Sequence, residues 1–449
     1  MLVVGNFKSL QLYCNWLIII NLIERVVGRC ALSACIIFLN VWICRAQEKH
    51  DSPDVLNRQT DAIEVIKNIF SKKNGTDSVK KNHSPFSILP SAGYNPSVGF
   101  SIGVTSTTGK TFGDPKTTSF SVFNANAYTS TGGLSNFEME HNVFTDGDKF
   151  NIQGGLLVGK TIALDYGVGT GRRAIGEGSF SINGFPLANN PDVFPIEFTY
   201  IKFNERVYMQ VMDHVYAGAG VVLNIYKNID DERKLGPNIG THNYRYSVIN
   251  GYPTAGYSAS GVLFNVAYNT RDHVNRPYHG MYLDLVLRLN QKWMGSQAYA
   301  SQLKTELRKY WSLSKKNPEH VLAYWIWGSY LLGGSLPYLE LTGTGSDALN
   351  RLGRGYTIGR FKGANFIYSE LEYRFPITKN KLLSGVTFVN GQTASNMRRD
   401  IKLMQYIEPG AGVGLRLLFN KNSRSNLCID YARGAYGSSG IFLGLNEVF

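Results

Sequence analysis

From residue 88 to residue 449 the chain is built of short runs in which apolar and polar residues alternate, each broken by glycine or a turn signal. A period of two puts successive side chains on opposite faces of a strand and suits no helix. The clearest runs are 98–106, 119–128, 150–158, 194–207, 214–226, 261–268, 281–289, 299–310, 321–331, 366–375, 411–419 and 438–449. Thr145-Asp146-Gly147-Asp148, Asn420-Lys421-Asn422 and Gly437-Ser438 punctuate them. With weaker runs counted, about 16 strands fit into this stretch, short turns alternating with longer loops. Two soluble cores would be needed to bury so many strands in a sandwich. One closed sheet removes every edge at once, as a bilayer requires. The fold class expected is therefore all-β, a transmembrane antiparallel β-barrel of about 16 strands.

Composition sharpens this reading. Charged residues are 18% of the chain, against 47 glycines, 26 tyrosines and 24 phenylalanines, which suits aromatic girdles at two lipid–water boundaries. The net charge of +13 is scattered singly among the strands instead of gathered in blocks. That pattern argues against nucleic acid and for a basic lumen or contact with anionic outer-membrane lipids. In the run 299–310, Gln302, Lys304, Glu306 and Arg308 demand a wet interior, since a packed apolar core has no place for them.

Residues 1–46 read as a signal peptide. An apolar core, residues 31–43, follows Arg25 and Arg29 and ends in Cys44-Arg45-Ala46, with cleavage expected after Ala46. Leu32-Ser33-Ala34-Cys35 resembles a lipoprotein box, but most of the apolar core comes after it. Residues 47–87 form a polar periplasmic linker with one helical patch, in which Ile63, Ile66, Ile69 and Phe70 share a face. That patch is expected to pack on its own chain, or to act as a plug or docking helix. Cys428 is the one cysteine beyond the leader, so neither an internal disulfide nor a cysteine metal site is expected.

No motif carries catalytic chemistry. The run from Gly154 to Thr161 fits a phosphate-loop pattern letter by letter, but Leu156-Leu157-Val158 fill its middle and no helix follows Lys160. Gly256-Tyr257-Ser258-Ala259-Ser260 misses a nucleophile elbow. The expectation is no enzyme, no catalytic residue, no metal and no cofactor. Gly353-Arg354-Gly355-Tyr356 is the more informative segment. Its glycines let a loop fold tightly, and a strand bearing Glu370, Glu372 and Arg374 lies just downstream. A loop dipping into the lumen could set Arg354 against an inward carboxylate as a bidentate pair.

These residues resemble the bacterial surface antigen family, the barrel shared by BamA/TamA-like outer-membrane assembly proteins. Tyr94-Asn95-Pro96 with Gly99 is similar to its first strand, and Tyr268-Asn269-Thr270-Arg271-Asp272 with Pro277 and Gly280 to a strand–loop signature. Gly333-Gly334-Ser335-Leu336-Pro337-Tyr338, Arg354-Gly355-Tyr356, Gly359-Arg360-Phe361 and Glu372-Tyr373-Arg374-Phe375-Pro376 follow in the family's order. Gly410-Ala411-Gly412-Val413-Gly414-Leu415-Arg416 through Phe449 resembles the last strands. The resemblance implies a barrel over 88–449 in the bacterial outer membrane, with its sixth extracellular loop folded inward. It implies a loop lock of Arg354, Gly355 and Tyr356 against Glu372, and an assembly signal at Phe442, Gly444 and Phe449. Asn390 stands where the family often has aspartate, which brings a hydrogen-bonding amide but no charge.

The chain also resembles a compact form without the periplasmic POTRA domains, residues 47–84 being too short for them, and without the patatin lipase of a related group. The function implied is assistance to insertion or export of outer-membrane or surface proteins. Client proteins and a separate periplasmic partner are the expected partners, with a passive channel or structural barrel as the alternative.

Overall fold

In the computed structural model the period-two runs become one antiparallel sheet of 16 strands. The structure describes residues 59–62, 64–65, 87–95, 99–171, 193–231, 241–347, 351–421 and 424–449. The leader expected over 1–46, and the linker apart from residues 59–62, 64–65 and 87, lie outside the described residues, and with them the helical patch of Ile63, Ile66, Ile69 and Phe70. The first strands are β1 (Ser87–Asn95), β2 (Gly99–Lys110), β3 (Ser121–Ser130) and β4 (Ser135–Phe144). The longest follow, β5 (Phe150–Asp165), β6 (Phe194–Met212) and β7 (Val215–Asp230). A short helix, α1 (His242–Asn250), precedes β8 (Tyr257–Asn269). Next come β9 (Gly280–Asn290), β10 (Ala300–Ser312), β11 (Val321–Gly334) and β12 (Asn365–Pro376). The last are β13 (Leu383–Ala394), β14 (Glu408–Asn420), β15 (Ser425–Gly434) and β16 (Ser439–Leu445).

Each strand pairs with the next in sequence, so every connection is local and the molecule is an up-and-down barrel. β1 and β16 come side by side, while no hydrogen-bonded ladder joins them among the described residues. The faces divide by polarity. Val413 and Leu415 on β14, Leu427, Ile429 and Tyr431 on β15, and Ile441 and Leu443 on β16 point outward. The alternate positions, including Glu370, Glu372, Arg374, Arg416 and Asp430, are buried inside. This inverted pattern, apolar out and polar in, belongs to a lipid-facing wall around a polar lumen and makes the chain a transmembrane barrel. No described helix is long and apolar enough to cross a membrane. At 19 residues β6 exceeds the roughly 9–11 that a tilted strand needs to cross, so it projects beyond the bilayer.

Odd-numbered strands run from an end with tighter turns toward an end with longer loops. Four strands, β1, β4, β13 and β15, fall outside the clearest sequence runs. In β4 and β15 the inward positions are small or polar, as in Asn426, Cys428, Asp430 and Ala432 of β15, so only half of each strand carries an apolar signal. The phosphate-loop lookalike is strand throughout, lying inside β5. One boundary is corrected. The alternation of 438–449 predicts strand to its end, but β16 stops at Leu445, where Asn446 takes a φ of 67° and turns the chain inward.

Candidate functional site

Between β11 and β12 the chain does not cap the barrel from outside. Residues 335–347 and 351–364 fold back into the lumen, and two devices make that possible. Gly353 and Gly355 adopt φ of 87° and 103°, a region closed to most side chains, and so turn the tip around Arg354. A two-residue hairpin, Thr342-Gly343 against Lys362-Gly363, ties the loop's stem.

The tip meets a wall whose register explains it. Glu370 of β12 stands opposite Asn390 of β13, which faces Gly410 of β14, which faces Gly434 of β15. The next inward rows are Glu372–Phe388–Gly412–Ala432 and Arg374–Val386–Gly414–Asp430. Gly410, Gly412 and Gly414 therefore form a stripe without side chains, a trough down the inner wall. Their role is space. A Cβ at Gly410 would strike the Asn390 side chain, one at Gly412 the Phe388 ring, and one at Gly414 the Asp430 carboxylate.

Arg354 lies in this trough with 3% of its surface exposed. Its Nε donates to Glu370 at 3.2 Å and its Nη1 to Asp430 at 2.8 Å, while Nη2 donates to both Glu370 and Glu372. The guanidinium centre sits 3.4 Å from the centroid of the Phe388 ring, a cation–π contact that sandwiches it against β13. Burial works against its charge, but Glu370, Glu372 and Asp430 hold it protonated, well above even the ordinary arginine value. The Asn390 amide donates to the Arg354 carbonyl at 3.0 Å and leaves its own side-chain oxygen without a hydrogen bond. Tyr356 donates to the Pro409 carbonyl and accepts from the Ala435 amide at 2.7 Å, so the tip also grips β14 and the β15–β16 turn.

The structure thus brings together Arg354, Gly355, Tyr356, Glu372 and Asn390, and adds partners that sequence reasoning did not assign. Glu372 is one of three carboxylates on Arg354, and it also accepts from Arg374 at 2.6 Å. Asp430 was missed because it lies far along the chain. Its one signal was parity, since it shares the inward set of β15. Arg416 donates to Asp430 and to Glu447, at 2.5 and 2.8 Å. Four arginines, Arg276, Arg354, Arg374 and Arg416, thereby face four carboxylates, Glu370, Glu372, Asp430 and Glu447, in one buried cluster. Such a cluster adds little net stability, because desolvation offsets much of the attraction. It fixes position, because removing any one member leaves an uncompensated charge.

The loop has a second anchor of opposite sign on the opposite wall. Glu340 pairs with Arg288 of β9 at 2.8 Å and accepts from Asn224 and Tyr226 of β7 at 2.7 and 2.8 Å. Nearby, Tyr338 and Lys362 both donate to Asp165, at 2.6 and 2.9 Å. Arg360, carried in Gly359-Arg360-Phe361, lies 4.4 Å from the Tyr166 ring centroid. The loop therefore straddles the lumen, acidic foot on β7–β9 and basic foot on β12–β15.

The remaining sequence-predicted positions are placed as follows. Phe442 and Gly444 lie on β16, Phe442 packing beside Val386, Phe388 and Ala432. Phe449 is beyond the strand, its ring buried 5.2 Å from that of Trp325 and its carbonyl accepting from Arg374 at 2.7 Å. Glu447 is drawn inward by Arg416, and this turns the chain end into the lumen. No group of side chains with metal-ligand geometry occurs among the described residues.

Comparison with known proteins gives three results. A family profile described as the Omp85 superfamily domain matches residues 202–435, just over half of the chain. The crystal structure of BamA from Haemophilus ducreyi lacking POTRA domains 1-3 is similar with a TM-score of 0.50 and 14% identity, over 88% of this chain and 81% of that one. CdiB from Escherichia coli is similar with a TM-score of 0.51 and 8% identity, over 82% of this chain and 63% of that one, so less than two thirds of its length is spanned. At these identities the likeness is one of fold. No curated protein sequence matches the chain.

Proposed function

The chain belongs to the Omp85 superfamily and is an outer-membrane β-barrel, and from that premise we propose that it assists insertion or export of outer-membrane or surface proteins. The observation that carries the proposal is the inward loop, pinned by Arg354 to three carboxylates on two strands. A pore for small solutes gains nothing from such a plug. A barrel that must open for a polypeptide needs an obstruction that is firmly placed at rest and can still be removed. An ionic clamp meets both needs, because its geometry is strict while its net stabilisation is small.

In this reading Arg354 with Gly355 and Tyr356 is the latch, and Glu370, Glu372, Asn390 and Asp430 are its seat. Phe442, Gly444 and Phe449 serve as the signal by which the barrel itself is assembled. Client chains would use the adjoining edges of β1 and β16, where extended segments can add as strands. The role is mechanical and needs no covalent chemistry. Membership of the Omp85 superfamily supports a role in handling proteins, and a separate periplasmic partner would deliver clients.

The test is depletion of the protein in its own cell with quantitative proteomics of the outer membrane. Loss of a defined set of barrels or surface proteins is the expected result and names the clients. An unchanged outer-membrane proteome, with large steady conductance from the purified barrel, would establish a passive channel instead.

A further inference from the structure

At the turn end, the few residues that precede the barrel are gripped by it. The Thr60 amide donates to the Asn380 carbonyl at 3.1 Å, and Asp61 accepts from the Lys421 amide at 3.0 Å. The Lys421 ammonium pairs with Glu64 at 3.0 Å. Gln59 reaches furthest in, donating from Nε2 to the buried Glu319 at 2.9 Å. Glu319 in turn begins a line of charges running up the lumen. Arg276 stands between Glu319 and Glu447, 3.6 Å from each. Glu447 accepts from Arg416 at 2.8 Å, Arg416 donates to Asp430 at 2.5 Å, and Asp430 accepts from Arg354 at 2.8 Å. Every ionised member from Glu319 to Arg354 has a side chain less than one tenth exposed.

We propose that this line couples the two ends of the barrel, so that docking of Gln59, Thr60, Asp61 and Glu64 at the turn end weakens the hold on the inward loop. The sign follows from competition. Each charge in the line has a neighbour on either side, besides side contacts such as Lys381 on Glu319 at 3.2 Å, Ser384 on Arg276 at 2.9 Å and Asn426 on Glu447 at 2.7 Å, and strengthening one contact along the line weakens the next. With Gln59 in place, Glu319 is better satisfied and releases Arg276 toward Glu447. Glu447 then leaves more of Arg416 to Asp430, and Asp430 leaves less of itself to Arg354. Arg276 is the pivot, because 3.6 Å to both carboxylates is longer than a hydrogen bond and favours neither. A periplasmic partner that pulls Gln59 and its described neighbours away would tighten the latch, and one that presses them home would loosen it. Coupling of this kind requires a shared set of groups that both ends bias, which this line supplies.

The inference rests on the reading of Arg354 as a latch, and the experiment separates the two. Chymotrypsin cleavage after Tyr356 is timed on the full-length protein in outer-membrane vesicles. Heat-modifiable mobility certifies a folded barrel for each variant. Arg354→Ala must speed cleavage; if it does not, the latch itself is refuted. Given that control, Gln59→Ala is expected to slow cleavage about two- to thirtyfold, the range that coupling residues outside a binding site usually give. In an Arg276→Met background the same change is expected to have no effect, since the pivot is gone. Unchanged cleavage in Gln59→Ala, faster cleavage, or slowing that persists in the Arg276→Met background would each overturn the coupling while leaving the latch intact.

Discussion

Replacing Arg354 by alanine tests the site most directly, and the structure sets the size of the effect. Four hydrogen bonds to carboxylates are lost, from Nε, Nη1 and, twice, Nη2. At roughly 1.5–3 kcal/mol for each bond to a charged group, a simple sum overshoots what one loop can contribute. The carboxylates left behind decide the real figure. Glu372 keeps Arg374, and Asp430 keeps Arg416. Glu370 retains only the Tyr368 hydroxyl and a long contact from the Asn390 amide at 3.5 Å, so it becomes the uncompensated charge. One such charge costs about 3–5 kcal/mol. Taking the lower bound, the open-loop population rises about a hundredfold at 1.4 kcal/mol per decade. Proteolysis tracks that population while the loop recloses faster than it is cut. Chymotrypsin should therefore cut after Tyr356 or Phe361 about a hundred times faster, with the 16-stranded sheet intact because no ladder bond involves Arg354. Arg354→Lys should fall between, since one ammonium cannot reach three carboxylates with fixed geometry. Cleavage of the alanine variant within about twofold of the parent, in a folded barrel, would refute the reasoning behind this figure.

Other outcomes follow from the same geometry. Glu340→Ala should free the first half of the loop by about 1–3 kcal/mol, since buried Arg288 loses its carboxylate, while the Arg354 seat stays closed. Hydrogen exchange rising around Tyr338 but not around Tyr356 is the signature to look for. A side chain at Gly434 would occupy the Tyr356 ring, so Gly434→Ala should displace the tip and lose the tyrosine's bond to Ala435. The readout is chymotrypsin access without loss of barrel folding. Burial alone would raise the Glu447 carboxyl, but Arg416, Arg374 and Arg276 hold it down at about 2, below the ordinary 4.5. Its folded value is the depressed one, so its stabilisation is full above pH 4.5 and is lost as pH falls toward 2. Acid unfolding of the barrel should lose that component in Glu447→Gln, and identical acid curves would contradict the assignment.

Much of the architecture was legible because membrane barrels advertise themselves through parity. Alternation in runs such as 194–207 and 411–419 needs no tertiary knowledge, since lipid on one side and water on the other impose it locally. The weaker strands, β4 and β15 among them, were harder to see because small and polar inward residues halve their signal. Arg354 was also legible, as an arginine between two glycines ahead of a strand with acids at alternate positions. Of its company, Glu372 was expected from the family resemblance and the rest was not. Asp430 and Glu447 are more than seventy residues away, and nothing local distinguishes them from other acids. The glycine stripe on β14 was visible as a motif, but its purpose as a trough depends on what lies against it.

The sequence by itself determined a polar-lined, lipid-faced barrel and singled out the loop that carries Arg354. That much is fixed by periodicity and by backbone freedom at glycine, both of which act over a few residues. Tertiary structure alone decided that Glu370 and Asp430 join Glu372 in holding the arginine and that the loop has a second, acidic foot at Glu340. It also decided that Phe449 turns into the lumen and does not face lipid. Those choices depend on strand register around the barrel, which sets residues far apart in sequence side by side. The energy of a buried charge depends on its neighbours in space, and the order of residues along the chain does not reveal them.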